Sequence, residues 1–275
     1  MGTPHLKPVP APPRQPRAGE GGLSRLHPTT LQRYENGRLV FRDDAIAEES
    51  TLRLLINGQQ EALLSRTPGD DLNLVAGYLF CTSRIREAGD LASVGFSYRG
   101  VARAEVGLDA PADIRRIFPS PRPVRIGAHR LFEFKAAFER RQNLYRDTGS
   151  THAAALFTAD GQLIAFGEDV GRHNAFDKAI GRALLEGTLG QAAIAMLSSR
   201  LALELAVKAA TANIPVLCGF SAATSSGVRY AEENNLTLVG RLRKESFNIY
   251  ANGWRILTGE SDKTERAGIF PAPAP

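Results

Sequence analysis

From Ser150 to about residue 251 the chain alternates short, almost wholly apolar runs with stretches of helical period. That alternation leaves few folds open. The runs "HAAALFT" (152–158), "QLIAFG" (162–167), "QAAIAML" (191–197), "IPVLCGF" (214–220), "LTLVG" (236–240) and "FNIYA" (247–251) read as strands. Helices fill the gaps at 172–186, about 200–212 and about 224–234. In the first of them Ala175, Phe176, Ala179, Ile180, Ala183 and Leu184 fall on one face of a 3.6-residue period. Ile214-Pro215, after "TAN", stops the second, because the residue before proline is pushed out of the helical region. "ADG" closes a hairpin between the first two strands. Strands that are apolar throughout are buried on both faces, so a mostly parallel sheet covered by helices is expected.

The chain upstream has a different texture. From Arg33 to about Arg116 short alternating runs dominate ("GRLVFR", "STLRLLING", "EALLSR", "ASVGFSY", "VARAEVGL"), with Asn36-Gly37 and Asn57-Gly58 as hairpin turns. One helix interrupts at "TPGDDLNLVAGYLF", where Pro68 suits the first turn and Asp70 and Asp71 favour the helix dipole. The expected organisation is a β-rich N-terminal domain (27–116), a connection with a helix from Leu131 to Tyr145 (117–150), and an α/β domain (151–258). Residues 1–26 hold six prolines and few large apolar residues, the composition of a disordered tail, and 259–275 read as a second tail. The overall class is α/β (α+β overall).

Composition removes several functions. No run of eighteen apolar residues occurs, which argues against a membrane span, and no apolar signal segment opens the chain, so a cytoplasmic location is expected. The net charge is +5, but residues 1–26 carry +3 of it, leaving about +2 and no basic block for nucleic acid. Two cysteines, Cys81 and Cys218, without a C-x-x-C pattern support neither a disulfide framework nor a structural zinc site. Both read as small buried apolar residues.

Three strand-to-helix junctions concentrate polar groups. "GEDVGRHNAFDK" (167–178) carries Asp169, Arg172 and His173, "LSSR" spans 197–200, and "FSAATSSG" (220–227) carries Ser221, Thr224 and Ser225. In an open α/β sheet such junctions gather at the carboxyl ends of the strands, where free helix N–H groups bind anions. Helix capping explains the same residues. Next to them "GRLRKESFNIYANG" (240–253) sets Arg241, Arg243 and Lys244 beside an aromatic strand whose Phe247 or Tyr250 could stack on a base. Together they read as a pocket for a nucleotide or a nucleotide-bearing cofactor. His173 and Asp177, at i and i+4, are either a base with its orienter or a helix-locking hydrogen bond. The zinc-deaminase pattern H-x-E with P-C-x-x-C is missing.

"THAAALF", "GEDVGRHNAFDKAIG", "IPVLCGFSAATSSGV" and "LTLVGRLRKESFNIY", with "LLINGQQEALLSRTPGDDLNLVAGYLF" upstream, resemble the formate dehydrogenase accessory sulfurtransferase family (FdhD) from about Arg33 to Leu257. The resemblance implies a small β-rich domain followed by a cytidine-deaminase-like three-layer α/β domain. It implies binding of the bis-molybdopterin guanine dinucleotide form of the molybdenum cofactor, and sulfur passed from a cysteine desulfurase to the metal. It places the cofactor-contacting stretch on Arg241, Leu242, Arg243, Lys244, Glu245 and Ser246. The partner it implies is the catalytic subunit of molybdenum formate dehydrogenase, with a cysteine desulfurase and a second copy of the chain as further candidates.

One departure matters. Where the family carries a glycine-rich C-x-x-C loop between its domains, this chain has "RIFPSPRPVRIGAHR" (116–130), without a cysteine. A persulfide needs a thiolate. "MLSSRLALE" also departs from the family's Ser-Gly-Arg opening, and Arg241 stands where an aromatic is commoner. The chain therefore reads as a cofactor-binding chaperone, of a cysteine-less branch, that delivers its cargo to the apoenzyme without transferring sulfur. The alternatives are a sulfurtransferase acting through Cys81 or Cys218 and a nucleotide-binding regulatory module.

Overall fold

The structure is a computed structural model that describes residues 24–108 and 120–259. Nearly all of both predicted tails, and the start of the cysteine-free connection, lie outside the described residues.

A two-stranded antiparallel ribbon, β1 (Leu26–Glu35) and β2 (Arg38–Ala47), comes first. Leu26, expected to end the tail, is already strand. Strands β3 (Ser50–Ile56), β4 (Gln59–Arg66), β5 (Leu91–Ser97) and β6 (Ala102–Leu108) form a four-stranded sheet in the order β4-β3-β6-β5. The Asn-Gly pairs turn both of the first hairpins. Asn36 and Gly37 have φ of 50° and 82°, Asn57 and Gly58 49° and 81°, the left-handed pair that a two-residue hairpin requires.

Helix α1 (Asp71–Cys81) lies between β4 and β5 in the chain. Its boundary corrects one expectation. Pro68 sits ahead of the helix; Asp71 does stand in the first turn, where its carboxylate also accepts Arg66 at 2.8 Å and 2.9 Å in an ion pair with both side chains almost fully buried. The helix expected from Leu131 to Tyr145 is also two pieces, α2 (Arg130–Glu139) and α3 (Asn143–Thr148). The break is enforced by buried Glu168, whose carboxylate accepts the Leu144 and Tyr145 N–H groups at 3.1 Å and 3.0 Å and so caps the start of α3.

The large sheet has six strands: β8 (His152–Phe157), β9 (Leu163–Asp169), β10 (Ile194–Leu197), β11 (Val216–Gly219), β12 (Thr237–Gly240) and β13 (Asn248–Ala251), in the order β13-β12-β11-β10-β8-β9. Only β10–β11 and β11–β12 are parallel; β8–β9, β8–β10 and β12–β13 are antiparallel. The sheet is mixed, not mostly parallel. Apolar runs report burial on both faces and say nothing about direction. The short pair β7 (Ile126–Gly127) and β14 (Ile256–Leu257) ties the connection to the end of the described chain.

Both faces of the six-stranded sheet are covered, in three layers. Along β8, Ala154 and Leu156 enter a core with α4 (Arg172–Leu185), α5 (Leu203–Thr211) and α6 (Ser225–Glu233). Ala153, Ala155 and Phe157 enter a second core with Leu131, Phe134 and Phe138 of α2. The first core continues through α1 to Leu52, Leu54, Ala104 and Val106 of the four-stranded sheet. That continuity depends on a backbone contact between α1 and α4. A Cβ on Gly77 would lie 1.9 Å from the Asp177 carbonyl oxygen, and one on Gly181 1.9 Å from that of Asn73.

No side chain can stand at either glycine without separating the helices. Gly77→Ala and Gly181→Ala are each expected to cost about 3 kcal/mol or more, the upper part of the overpacking range, since backbone atoms cannot rotate away. Chemical denaturation read by far-UV circular dichroism checks this. Gly89→Ala, whose added Cβ meets only a flexible side-chain end at 3.8 Å, is the control.

Candidate functional site

Strands β9 and β10 both run antiparallel to β8, so β9, β10, β11 and β12 point the same way. The three junctions and the basic loop after β12 therefore share one edge, as the sequence suggested. Within that edge the polar residues divide into three groups.

The first group is structural. Asp169 is fully buried, and both carboxylate oxygens are engaged. Oδ2 accepts Lys178 Nζ at 2.7 Å and the Thr67 N–H at 3.1 Å; Oδ1 accepts the Gly171 N–H at 2.9 Å and Asn174 Nδ2 at 3.1 Å. Lys178 Nζ, equally buried, donates also to the Thr67 carbonyl at 2.8 Å. Thr67 Oγ1 accepts the Val170 N–H at 3.2 Å, and Asn174 Nδ2 reaches the Ser65 carbonyl at 2.6 Å. "GEDVGRHNAFDK" is thus a knot between the end of β4 and the start of α4, and Asp169 faces no open crevice. Asp177 does not hold His173, contrary to one reading of their spacing: it pairs with Lys208 Nζ at 2.6 Å and 2.8 Å, while His173 Nε2 meets Glu204 Oε2 at 3.2 Å.

The second group surrounds Arg172. His152 Nδ1 lies 3.2 Å from Ser198 Oγ, which also accepts the Ala153 N–H at 3.0 Å. The buried Nε of Arg172 has no hydrogen-bond partner. Burial, followed by the Arg172 charge, holds both His152 and His173 below the usual imidazole range. Sequence reasoning passed over His152 because it enters from the beginning of an antiparallel strand.

The third group forms a cleft of about 510 Å³ lined by Lys135, Glu139, Phe220, Leu242, Arg243, Lys244 and Glu245. Its loop is set by the backbone. Arg241 takes a left-handed φ of 52°, and its N–H donates to the Ser221 carbonyl at 2.9 Å. Leu242 is fully buried and pins the loop to the second core, and the Arg243 N–H closes the turn onto the Ser246 carbonyl at 2.8 Å. Arg243 also donates from its guanidinium to the Phe220 carbonyl at 3.0 Å. The aromatic face in the cleft is Phe220, with Lys135 Nζ 5.0 Å from its ring centre. Phe247 packs on Phe132 instead, and Tyr250 packs into the first core. Thr224 caps α6, accepting the Gly227 N–H at 3.3 Å, and Ser225, the first residue of the helix, is exposed. So Ser221 joins the 241–246 loop, Arg172 and His173 stand with His152, and Asp169 stands apart. Lys135, Glu139 and Phe220 were missed: a Lys-Glu pair at i and i+4 reads as an ordinary solvated helix face.

Residues 99–257 match the model of the FdhD/NarQ family. The chain is 37% identical over 248 residues to the sulfur carrier protein FdhD of Sulfurisphaera tokodaii, covering 82% of this chain and 96% of that protein. It is 35% identical over 262 residues to the protein of the same name from Streptomyces avermitilis, covering 82% and 93%. The chain belongs to the FdhD/NarQ family. A crystal structure of a candidate formate dehydrogenase accessory protein from Desulfotalea psychrophila shares the fold, with a TM-score of 0.76 at 24% identity over 85% of this chain and 100% of that one. The motif by which the chain resembles FdhD is therefore, in this member of the family, first of all the knot around Lys178.

Lys178→Met leaves the Asp169 carboxylate buried without its cation and is expected to cost about 3–5 kcal/mol in urea denaturation. His173→Ala, at a half-buried site, should cost far less. A pH effect separates the second group. The folded state holds His152 and His173 below their ordinary value of 6.5, so the unfolded chain takes up protons first on acidification. Their stability contribution is complete above about 6.5 and is lost as pH falls towards the folded values. The urea midpoint should fall between pH 7.5 and 5.5, and a His152→Gln, His173→Gln variant should show a shallower fall.

Proposed function

We propose that this FdhD/NarQ protein is a formate dehydrogenase accessory protein that binds bis-molybdopterin guanine dinucleotide as cargo. On this reading it presents the cargo to the catalytic subunit of a molybdenum formate dehydrogenase, without carrying sulfur on a thiol of its own. The observation that carries the reading is the cleft. Three cations, Lys135, Arg243 and Lys244, line the cleft with Phe220 just past the carboxyl end of β11, the position where open α/β sheets hold nucleotides. Arginine and lysine supply charge-assisted hydrogen bonds to a diphosphate. The cleft has the volume of a small-ligand site, so it holds one nucleotide arm while the rest of the cargo extends along the edge.

The cysteines support the second half of the reading. Cys218 is fully buried in β11, where burial pushes its thiol up to about 12, far from a working thiolate. Cys81 is partly exposed at the end of α1 and hydrogen-bonds with Asp177, beside Lys208. The relatives named sulfur carriers keep a second reading in view, in which Cys81 accepts sulfur from a cysteine desulfurase.

Isothermal titration with GDP tests the binding, with pterin fluorescence of the isolated protein as a second readout. Arg243→Ala should weaken GDP about tenfold, the loss of one charge-assisted contact. Absence of both GDP binding and pterin defeats the proposal. For sulfur, a Cys81→Ser, Cys218→Ser variant should restore formate dehydrogenase activity per mole of molybdenum in a strain lacking the accessory protein. A stable, cofactor-loaded variant that restores none makes Cys81 the sulfur carrier.

A further inference from the structure

The outer face of the four-stranded sheet carries two arginines side by side with no carboxylate to balance them. Leu52 and Leu54 of β3 and Ala104 and Val106 of β6 enter the first core, so Arg53 and Arg103 point the other way. The two are register partners on neighbouring strands, which sets them on one face with backbones about 4.8 Å apart. On β4, Leu63 is the register partner of Arg53; on β5, Ser97 is that of Arg103. One row therefore crosses the whole sheet as Leu63, Arg53, Arg103 and Ser97. Leu63 is 57% exposed, a leucine in solvent beside a pair of like charges. The Nε of Arg53 is buried without a hydrogen-bond partner, and among the described residues no carboxylate pairs with either guanidinium. Glu105, two residues further along β6 on the same face, is turned to the β3–β4 hairpin, where it accepts the Gly58 N–H at 2.9 Å. Like charges in register repel, and an unmatched buried donor adds to the cost.

We infer that this row is a docking surface for an acidic, partly apolar patch on the catalytic subunit that the protein serves. The inference rests on the accessory-protein reading. Charge decides among the occupants. A second copy meeting the first through this face would set four guanidiniums against one another, because a two-fold contact pairs each patch with itself. Residues 1–26 carry a net charge of +3 and are repelled as well. A partner carboxylate accepts from both guanidiniums, supplies the counter-charge that the fold leaves out, and makes the forked charge-assisted contact for which arginine is suited. Leu63 adds apolar area next to the pair, and arginine with apolar area marks the centre of protein interfaces. The face shares no residue with the cleft, whose lining comes from α2, Phe220 and the loop after β12. Recruiting the partner and holding the cargo thus use separate residues.

The test is biolayer interferometry of the full chain against the purified apo catalytic subunit of the molybdenum formate dehydrogenase from the same organism. Native protein, Arg53→Glu, Arg103→Glu and Arg229→Glu are compared. The last reverses an exposed arginine on α6 and makes the same change in net charge. The native protein is expected to bind, and more weakly as salt is raised. Arg53→Glu and Arg103→Glu should each weaken binding about tenfold or more, the loss expected of a central interface arginine. Arg229→Glu should leave it close to native. Each reversal in the row sets opposite charges in register, so its urea midpoint should stand at or above the native one. Native binding that either reversal leaves intact overturns the paired docking site and spares the accessory reading. A native protein that does not bind the subunit overturns that reading and this inference together. A reversal in the row whose urea midpoint falls below native makes the arginines structural and overturns the assignment. Light scattering that shows a native dimer separated by Arg103→Glu makes the occupant a second copy, and equally overturns it.

Discussion

The Lys178–Asp169 pair holds together most of what surrounds it. Two opposite charges with almost no solvent contact are stable only when every remaining donor and acceptor is used, and here that requirement recruits the chain around them. The Thr67 N–H and carbonyl, the Gly171 N–H and the Asn174 amide satisfy the pair. Thr67 belongs to the stretch between β4 and α1, so satisfying a charge at the mouth of α4 also positions α1. The glycine contact then becomes possible, with Gly77 and Gly181 letting two helix backbones touch. Hydrophobic burial has no direction and could not have set that crossing. The hydrogen bonds of one buried ion pair do.

A division of labour follows. The face of the six-stranded sheet that carries α4, α5 and α6 is committed to joining the four-stranded sheet through α1. The other face, under α2, is left to shape a cleft at the strand ends. Buried Arg255 holds that side in register: its guanidinium donates to the carbonyls of Ser120 and Asn235 at 3.2 Å and 2.8 Å, fastening the connection that leads into α2. Burial holds this guanidinium down to about 10, still cationic at any neutral pH.

The elements were legible where a local pattern specifies them. Apolar runs became strands, Asn-Gly pairs became left-handed turns, and Ala175 to Leu184 became one face of a helix. The meeting of three junctions at one edge was also legible, since strand order in α/β sheets constrains where helices begin. Strand direction was not, because β8 and β10 have the same apolar texture and run opposite ways. The partners in the knot were hidden for another reason. Asp169 and Lys178 are nine positions apart, and Thr67 is more than one hundred residues from both, so no local spacing links them. Asp177 beside His173 offered a nearer partner, and the folded chain gave it Lys208. Phe220 read as the last residue of a core strand, yet one residue past Gly219 it turns to face Lys135.

The left-handed Arg241 bears on how fast a ligand could be taken up. A non-glycine residue at φ 52° is held there at a cost, and it persists because its N–H is bound to Ser221 and because Leu242 is locked in the core. A loop determined in this way has its shape before any ligand arrives. Binding then involves little ordering of the backbone, so encounter would set the association rate, with loop closure adding little delay. Release would then be the slow, adjustable step for any ligand held there.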